Sequence, residues 1–442
     1  RNNDTTKQRF LEIFFCAFKK AKWVIVRHIV IALYLTISSV IANKMNLINL
    51  TYFNAVFGLT YFAELIAFGI ASGIGVYVNH NIENKQKVNN YIKIGLYLHI
   101  ISSFVLVLIF AIFYKPLLHG LLSLPNSIDY GFYFLMLVYC FFVSILTYIV
   151  NILKELEIFL GELLLAIIQS ALIIVGVFVS LWAFNLSLYF IAAVYIISAI
   201  LAIVFGFVYL RRKINIKFFS KTNSHLTKIE LFTIIKMTLT QFVWQIGYTI
   251  LSYFILHSSE IIFNQYAYFE NVLDILNGFY FSFVVVTSID ISRYLGEKDY
   301  EQTYKIGKYS LWATFVIWFL YFVISLSLSI PLINGMSIDI KDTAFICLLL
   351  YLTTYLFRFM SWNLMSYILC RGGQVKIIFW QELCCSIYYI ILYCLVGFVP
   401  ANIFIIFALI NIPTIFQTIL GLILFKNKKW MTSLNSNQLE IK

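Results

Sequence analysis

The sequence predicts an all-α integral membrane protein with about twelve transmembrane helices, arranged as two pseudo-symmetric bundles of about six helices each. Of the 442 residues, 62% are hydrophobic and only 12% are charged, about half the charged fraction of an ordinary soluble domain. Apolar runs of about 20 residues, long enough to cross a hydrocarbon core as a helix, recur from Trp23 to Phe425. These runs do not alternate in polarity, so helices are expected throughout.

A polar stretch after the sixth apolar run divides the predicted spans evenly. The spans are expected near 23–43, 48–78, 94–114, 130–153, 162–184, 188–210, 234–256, 261–289, 310–330, 343–369, 377–399 and 403–425. This pattern predicts a cytoplasmic N-terminal segment (1–22), an N-terminal six-helix lobe (23–210), a cytoplasmic inter-lobe loop (211–233), a C-terminal six-helix lobe (234–425) and a cytoplasmic tail (426–442).

Basic residues are distributed unequally between the two sides of these spans. If the N-terminus lies in the cytoplasm, the inner segments carry most of the 32 Lys and Arg residues, whereas the outer loops carry only Lys44, Lys115 and Lys341. This asymmetry follows the positive-inside rule and predicts a multi-pass protein of the plasma membrane with both termini cytoplasmic. The net charge of +12 then needs no nucleic-acid partner, because anionic membrane lipid supplies the counter-charge.

The two halves share sequence landmarks in the same order. Asn54 and Glu64 match Asn264 and Asp274 at an offset of 210 residues, Lys93-Ile94-Gly95 matches Lys305-Ile306-Gly307 at 212, Pro116–Gly120 matches Pro331–Gly335 at 215, and Ile152-Leu153 matches Ile368-Leu369 at 216. A common order with slowly drifting offsets indicates an internal duplication. Because each half has an even number of spans, two bundles are expected to flank a central cavity about an axis along the membrane normal.

Three segments carry a resemblance to a known family. They are the glycine-bearing long second span with the charged loop Asn79–Lys93, the segment YLGEKDYEQTYKIG (Tyr294–Gly307), and ILCRGGQVK (Ile368–Lys376). With them the chain resembles the multidrug and toxic compound extrusion (MATE) family, within the superfamily that includes lipid-linked oligosaccharide flippases. The resemblance implies a two-lobed exporter. The sequence departs from the family where Ile29–Ala42 lacks a proline and an acid, and where Gln241 and Gln245 replace a common glutamate.

Acidic residues inside the predicted spans are candidate functional groups, because a charge near the bilayer centre costs at least about 2.5 kcal/mol. Glu64 lies in span two, and Glu270 and Asp274 lie one turn apart in span eight. We expect these three acids to bind the coupling ion, H⁺ or Na⁺. For Glu64, which lies among glycines, the alternative is a neutral, hydrogen-bonded side chain between closely packed helices.

Arg358 lies in the middle of predicted span ten and has more than one interpretation. It can act as a counter-ion to the acids or bind an anionic group of the substrate. Alternatively, it forms a fixed ion pair with Asp274 that only joins two helices. Helical spacing places further polar and aromatic residues on the faces that carry these charges. The residues expected to line the cavity are Arg358, Tyr266, Asn277, Gln241, Trp244, Gln245, Tyr248 and Trp362.

Other polar residues predict no chemistry of their own. Glu155, Glu157 and Glu162 are expected to lie among cytoplasmic lysines, and Glu382 in span eleven has no obvious role. The seven cysteines lack the paired spacing of a metal or redox site. The sequence also lacks a nucleotide-binding loop, a two-histidine metal motif and a nucleophile elbow, so neither an enzyme nor a cofactor is expected.

The leading hypothesis is a monomeric secondary active exporter, a MATE-like antiporter that moves an amphiphilic small molecule or small peptide out of the cell as H⁺ or Na⁺ enters. The alternative is a flippase for a lipid-linked oligosaccharide or another anionic lipid-linked precursor. The two hypotheses differ at Arg358, because a flippase would use the guanidinium to hold phosphate, whereas export of a cationic solute does not require it.

Overall fold

The computed structural model describes residues 15–31, 33, 47–121, 128–185, 187–216, 226–335 and 343–431. Within these ranges the chain is helical and contains no β-strand. Ten of the described helices are long and apolar enough to cross a membrane, and one bent helix brings the number to eleven. The all-α membrane fold predicted from the sequence is therefore confirmed.

The first half of the chain begins with helix α1, which covers 15–31. It is followed by α2 (Leu47–His80), α3 (Lys85–Ile112), a π-helical segment (Pro116–Leu121), α4 (Tyr130–Glu155), α5 (Phe159–Ala183) and α6 (Leu188–Ile214). Helix α1 begins before predicted span one (23–43), because a spanning helix continues where its polar turns meet water. The remainder of that predicted span, residues 32 and 34–43, lies outside the described residues.

The second half supplies α7 (Lys228–Ser258), α8 (Glu260–Gly296), α9 (Tyr300–Ser327), α10 (Ser329–Asn334), α11 (Ala344–Trp362), α12 (Val375–Cys394) and α13 (Ile403–Asn427). Helix α11 continues directly into a π-helical segment, Asn363–Leu369. Helix α8 is bent, with an angle of 59° between Glu260–Asp274 and Leu276–Gly296. The unusual length predicted for the second and eighth spans is present in α2 and α8, which have 34 and 37 residues.

The chain divides into two compact units. The N-terminal unit comprises Trp23–Thr238, and the C-terminal unit comprises Leu239–Lys442 together with the residues up to Lys22. The division falls inside α7, whereas the sequence suggested a boundary in the loop 211–233. Both ends of that loop are helical, since α6 continues to Ile214 and α7 begins at Lys228. Polar helical turns outside the hydrocarbon core keep their backbone hydrogen bonds. Helices α6 and α7 can therefore extend beyond their apolar stretches into the polar region.

Matching landmarks of the sequence repeat have matching local structure. Helices α3 and α9 each contain 28 residues, and each follows a capping side chain, Asn84 or Asp299, that accepts a hydrogen bond from a first-turn backbone N–H. A short helix that contains Pro116 or Pro331 then follows each of them. The order of helices within the two units is therefore that of a duplicated bundle.

Candidate functional site

An ion pair joins α8 and α11 inside the C-terminal unit. The Arg358 Nη1 lies 3.0 Å from the Glu270 Oε1, and the two side chains are 11% and 24% exposed. Arg358 thus pairs with Glu270 and not with Asp274, the partner considered from the sequence. Asp274 lies one helical turn further along α8, where its side chain is exposed.

The Glu270 carboxylate accepts hydrogen bonds from three side chains. Arg358 Nη1 donates at 3.0 Å and the Tyr355 hydroxyl donates at 3.2 Å. The Tyr248 hydroxyl of α7 donates to the second carboxylate oxygen. Through these contacts Glu270 connects α7, α8 and α11.

Aromatic rings surround the other faces of Arg358. Its guanidinium carbon lies 4.5 Å from the ring centroid of Trp362, 5.1 Å from that of Tyr355 and 5.2 Å from that of Tyr248. These separations are typical of cation–π contacts. Helical spacing explains part of the arrangement, since Tyr355, Arg358 and Trp362 are three and four residues apart on α11 and share one face.

A cavity lies beside the ion pair within the C-terminal unit. Its aromatic walls are formed by Trp244, Tyr248, Tyr266, Trp362 and Tyr389. Its polar lining consists of Thr354, Arg358, Glu382, Ser386, Thr414 and Gln417. Of the cavity residues expected from the sequence, the structure therefore brings together Arg358, Trp244, Tyr248, Tyr266 and Trp362.

The other expected cavity residues lie outside this lining. Helix α7 packs closely against α12 at Gly247, where an added Cβ would lie 2.5 Å from a side-chain atom of α12. This contact sets the rotation of α7, which turns Trp244 towards the cavity and leaves Gln241 and Gln245 partly buried beside it. Asn277 of α8 is buried but does not line the cavity either.

None of the three acids predicted as ion-binding groups lines the cavity, although Glu270 is paired with the cavity residue Arg358. Asp274 is exposed, and its Oδ1 accepts a hydrogen bond from Asn277 Nδ2 at 3.4 Å. Glu64 of α2 is partly buried in the N-terminal unit, where the Thr147 hydroxyl of α4 donates to it at 3.4 Å. Among the described residues, no cluster of three His, Cys, Asp or Glu side chains is arranged to hold a metal ion.

Glu382 of α12 is a cavity acid for which the sequence predicted no role. It is 7% exposed. Gln417 of α13 donates through Nε2 to the Glu382 Oε1 at 3.4 Å and lies 3.2 Å from the Cys385 Sγ. The sequence did show an acid inside predicted span eleven, which is a signal for a functional residue. Residue spacing along α12 could not show that the Glu382 side chain shares a cavity with Arg358 of α11.

Two acids expected among cytoplasmic lysines are buried in the N-terminal unit. Glu155 and Glu162 are 2% and 0% exposed. Asn79 Nδ2 donates to Glu155 Oε2 at 2.8 Å, and Arg27 Nε lies 3.2 Å from Glu162 Oε1. Arg27 of α1 compensates the charge of Glu162, and Asn79 of α2 gives Glu155 a hydrogen bond. Both contacts lower the free-energy cost of burying these acids.

Comparisons with known proteins identify the fold. No protein-family model matches the sequence, and no curated protein matches it. The Vibrio cholerae MATE transporter VcmN in its bent form matches 96% of this chain and 98% of its own, with TM-score 0.82 and 12% identity. An outward-facing multidrug resistance MATE family transporter of the MOP superfamily matches with TM-score 0.80, 13% identity and coverage of 96% and 97%.

A third solved structure is that of a MOP superfamily transporter from Pyrococcus furiosus, described as having a binding pocket of reverse polarity. It matches with TM-score 0.79, 12% identity and coverage of 96% of this chain and 97% of that one. Similarity over nearly the whole length at such low identity establishes the architecture and not the substrate. The protein therefore has the fold of MATE transporters of the MOP superfamily.

Proposed function

We propose that this protein is a secondary active exporter that moves an amphiphilic small molecule or small peptide out of the cell by alternating access, coupled to H⁺ or Na⁺. The observation that carries the proposal is the cavity of the C-terminal unit, with its aromatic walls and charged groups, in a chain of MATE fold. Charged side chains inside a membrane cost free energy and typically mark a path for substrate or ions. We expect the protein to act as a monomer and to need no cofactor.

The lining of the cavity favours a solute with apolar rings and a positive charge. Glu270 compensates the charge of Arg358, so Glu382 gives the cavity a surplus negative charge whenever it is deprotonated. Aromatic faces such as those of Trp244 and Trp362 bind both planar apolar groups and cations. An organic cation is therefore a suitable first solute for transport measurements.

A flippase for a lipid-linked anionic precursor is supported less well. Phosphate recognition would require free N–H donors on Arg358. In the structure Arg358 Nη1 donates to Glu270, and the rings of Tyr248 and Trp362 lie close to the guanidinium. A phosphate group would therefore compete with Glu270 for the charge of Arg358. Export is therefore the better supported function.

Ethidium fluorescence in proteoliposomes tests the proposal. With an imposed H⁺ or Na⁺ gradient, the wild-type protein is expected to move ethidium against its concentration gradient. Trp362→Ala removes a cavity wall that lies 4.5 Å from the Arg358 guanidinium carbon. A loss of about 1 to 2 kcal/mol in binding should lower transport about tenfold. Trp182→Ala is the matched control, because Trp182 is 94% exposed on α5.

Different results would contradict different parts of the proposal. Ethidium movement that is independent of both gradients would exclude coupled export. Equal transport by Trp362→Ala and Trp182→Ala would exclude this cavity as the solute site. Vesicles that translocate a fluorescent polyprenyl-pyrophosphate lipid but not ethidium would show that the flippase hypothesis is correct.

A further inference from the structure

We infer that Glu382 is the carboxyl group that takes up and releases a proton in the C-terminal cavity. The inference deepens the proposed function, because it replaces the acids expected from the sequence, Glu270 and Asp274, with a residue of α12 as the coupling group. It rests on that function for the link to transport, but not for the protonation of Glu382 itself.

The contacts of Glu270 make it the counter-ion of Arg358. Its carboxylate accepts from Arg358 at 3.0 Å, from Tyr355 at 3.2 Å and from Tyr248. Loss of the Glu270 charge would leave Arg358 without its counter-ion. Because the buried guanidinium needs that counter-charge, we assign Glu270 to the ion pair and not to proton coupling.

Glu382 has the opposite surroundings. Its described hydrogen bonds come from the neutral amides of Gln417, at a long distance of 3.4 Å, and of Gln381, and it forms no ion pair among the described residues. Its nearest neighbour along α12 in the cavity is Cys385, whose Sγ lies 3.2 Å from the same amide nitrogen. With so little compensation, a charged carboxylate at 7% exposure costs more than the protonated acid. An arriving cation or a more hydrated state of the cavity would favour release of the proton.

The other charged and titratable groups of the cavity do not substitute for this role. Within the described lining, Arg358 is the only base, and Glu270 compensates it. The remaining titratable groups that face the cavity are phenols and a thiol from α7, α8 and α12, which are ordinarily protonated at neutral pH. These are Tyr248, Tyr266, Cys385 and Tyr389. Glu382 is thus the one acid of the described lining whose charge can change without breaking an ion pair.

The position of Glu382 suits proton exchange. It follows Val375, the first residue of α12, by seven residues, which places it about 10 Å along the helix axis. It is therefore inside the apolar stretch of α12, and it is reached through the cavity. The step is a simple proton transfer: cavity water supplies a proton to the carboxylate, and the same oxygen returns it to water when the cavity changes state.

Dicyclohexylcarbodiimide labelling tests protonation without any need for transport. A protonated carboxyl adds to the carbodiimide: its proton moves to one nitrogen, its oxygen bonds to the central carbon, and the adduct rearranges to a stable N-acylurea with no group lost. Mass spectrometry of the purified full-length protein is expected to find the label on Glu382. Labelling should fall as the pH is raised from about 5 to about 9, because the carboxylate does not react.

Variants make the labelling result specific. Glu382→Gln should lose the label while eluting as a folded protein in size-exclusion chromatography. Glu301→Gln should keep it, because the Glu301 side chain is 80% exposed on α9 and distant from the cavity lining. A label on Glu270 or Asp274 in place of Glu382, or labelling of Glu382 that does not change with pH, would overturn the inference.

Transport then separates this inference from the proposed function. Glu382→Gln is expected to abolish ethidium export driven by a proton gradient. Proton-driven export at the wild-type rate by Glu382→Gln would overturn the inference and leave export standing. A wild-type protein that labels at Glu382 but moves no solute would support the inference and contradict export.

Discussion

Arg358 is stabilised in the C-terminal unit by contacts that act on different parts of its side chain. Its Nη1 contacts the Glu270 carboxylate at 3.0 Å, while its guanidinium carbon lies 4.5 to 5.2 Å from the centroids of three aromatic rings. The carboxylate compensates the charge and the rings replace water around the planar group. Removing either member of the pair leaves the other charge in a mostly buried place without compensation.

Arg358→Gln is therefore expected to lower stability by on the order of 3 kcal/mol, since breaking a buried pair leaves Glu270 as an unmatched charge. The double variant Arg358→Gln/Glu270→Gln removes both charges and should recover most of that loss. The melting temperature of each detergent-purified variant, followed by size-exclusion chromatography after heating, measures the effect. Losses that simply add in the double variant would show that the two side chains do not compensate each other.

The sequence could identify single residues of this site but not their partners. Arg358, Glu270 and Asp274 were recognisable because charges are rare inside apolar spans. The choice between Glu270 and Asp274 depends on the axial position of α8 relative to α11, which residue spacing within either helix does not contain. The same limit applies to Glu382, whose hydrogen bond to Gln417 crosses from α12 to α13.

Pro413 interrupts the backbone hydrogen bonds of α13 in the middle of the helix. Proline has no N–H, so the carbonyl of Leu409 loses its donor within the helix. The Tyr388 hydroxyl of α12 donates to that carbonyl at 3.1 Å. The neighbouring helix thus satisfies the group that proline leaves free, which membrane helices require because no water reaches them.

Tyr388→Phe is expected to destabilise the protein by about 1 kcal/mol, the usual scale of an interhelical hydrogen bond in a membrane protein. In a Pro413→Ala background the backbone N–H at position 413 returns and can satisfy Leu409, so the same Tyr388→Phe change should then have little effect. A double-mutant cycle on the melting temperatures measures the difference. An equal loss in both backgrounds would mean that Tyr388 acts through packing and not through this carbonyl.

Glycines of α2 allow a close helix contact inside the N-terminal unit. A Cβ added at Gly69 would lie 2.5 Å from the Thr238 Cα, and one at Gly73 would lie 3.0 Å from the Ile234 Cα. These two glycines are four residues apart, the spacing by which small residues let membrane helices approach each other. Because the atoms in the way belong to the backbone of α7, a side-chain rotation cannot remove the clash.

Gly69→Ala should consequently destabilise the protein by about 1 to 3 kcal/mol, the range for overpacking a tight contact. Gly58→Ala provides a control on the same helix, because nothing lies within 4 Å of a Cβ at that position. It should leave stability unchanged or raise it slightly, since alanine favours helix more than glycine does. Thermal unfolding of both variants in the same detergent compares them. A loss of equal size in Gly58→Ala would point to backbone flexibility as the cause.

The positions of the helices were more predictable than their shapes. Each apolar run after the first corresponds to a helix, because a membrane forces the backbone to satisfy its own hydrogen bonds. The 59° bend of α8 was not predictable, as this helix contains no proline. Nor did the sequence indicate the π-helical continuation of α11 at Asn363–Leu369, which needs one extra residue per turn and leaves no simple pattern.

At the scale of the whole molecule, the duplicated halves have diverged in their polar groups. The repeat offsets of 210 and 216 residues place Thr60 and Phe142 where the second half has Glu270 and Arg358. The first half therefore has no counterpart of the ion pair at the matching positions. Duplication alone predicts the same polar residues in both units. The cavity charges of the C-terminal unit therefore arose by divergence, which supports our assignment of the solute cavity to that unit.

The distribution of basic residues also predicts which side of the membrane each connection faces. The turn between α8 and α9 contains Glu297 and is expected in the cytoplasm, whereas the turn between α12 and α13 contains Ala401 and is expected outside. Both residues are exposed in the structure. Exposure therefore does not distinguish them, and a difference in their reactivity towards an impermeant reagent would report only the side of the membrane.

In a background without the seven native cysteines, Ala401→Cys is expected to react with a membrane-impermeant maleimide in intact cells. Glu297→Cys should react only after the membrane is permeabilised, because the lysines and arginines beside its turn keep that loop in the cytoplasm. The cysteine-free protein controls for background labelling. The reverse pattern would place both termini outside and would contradict the orientation predicted from the basic residues.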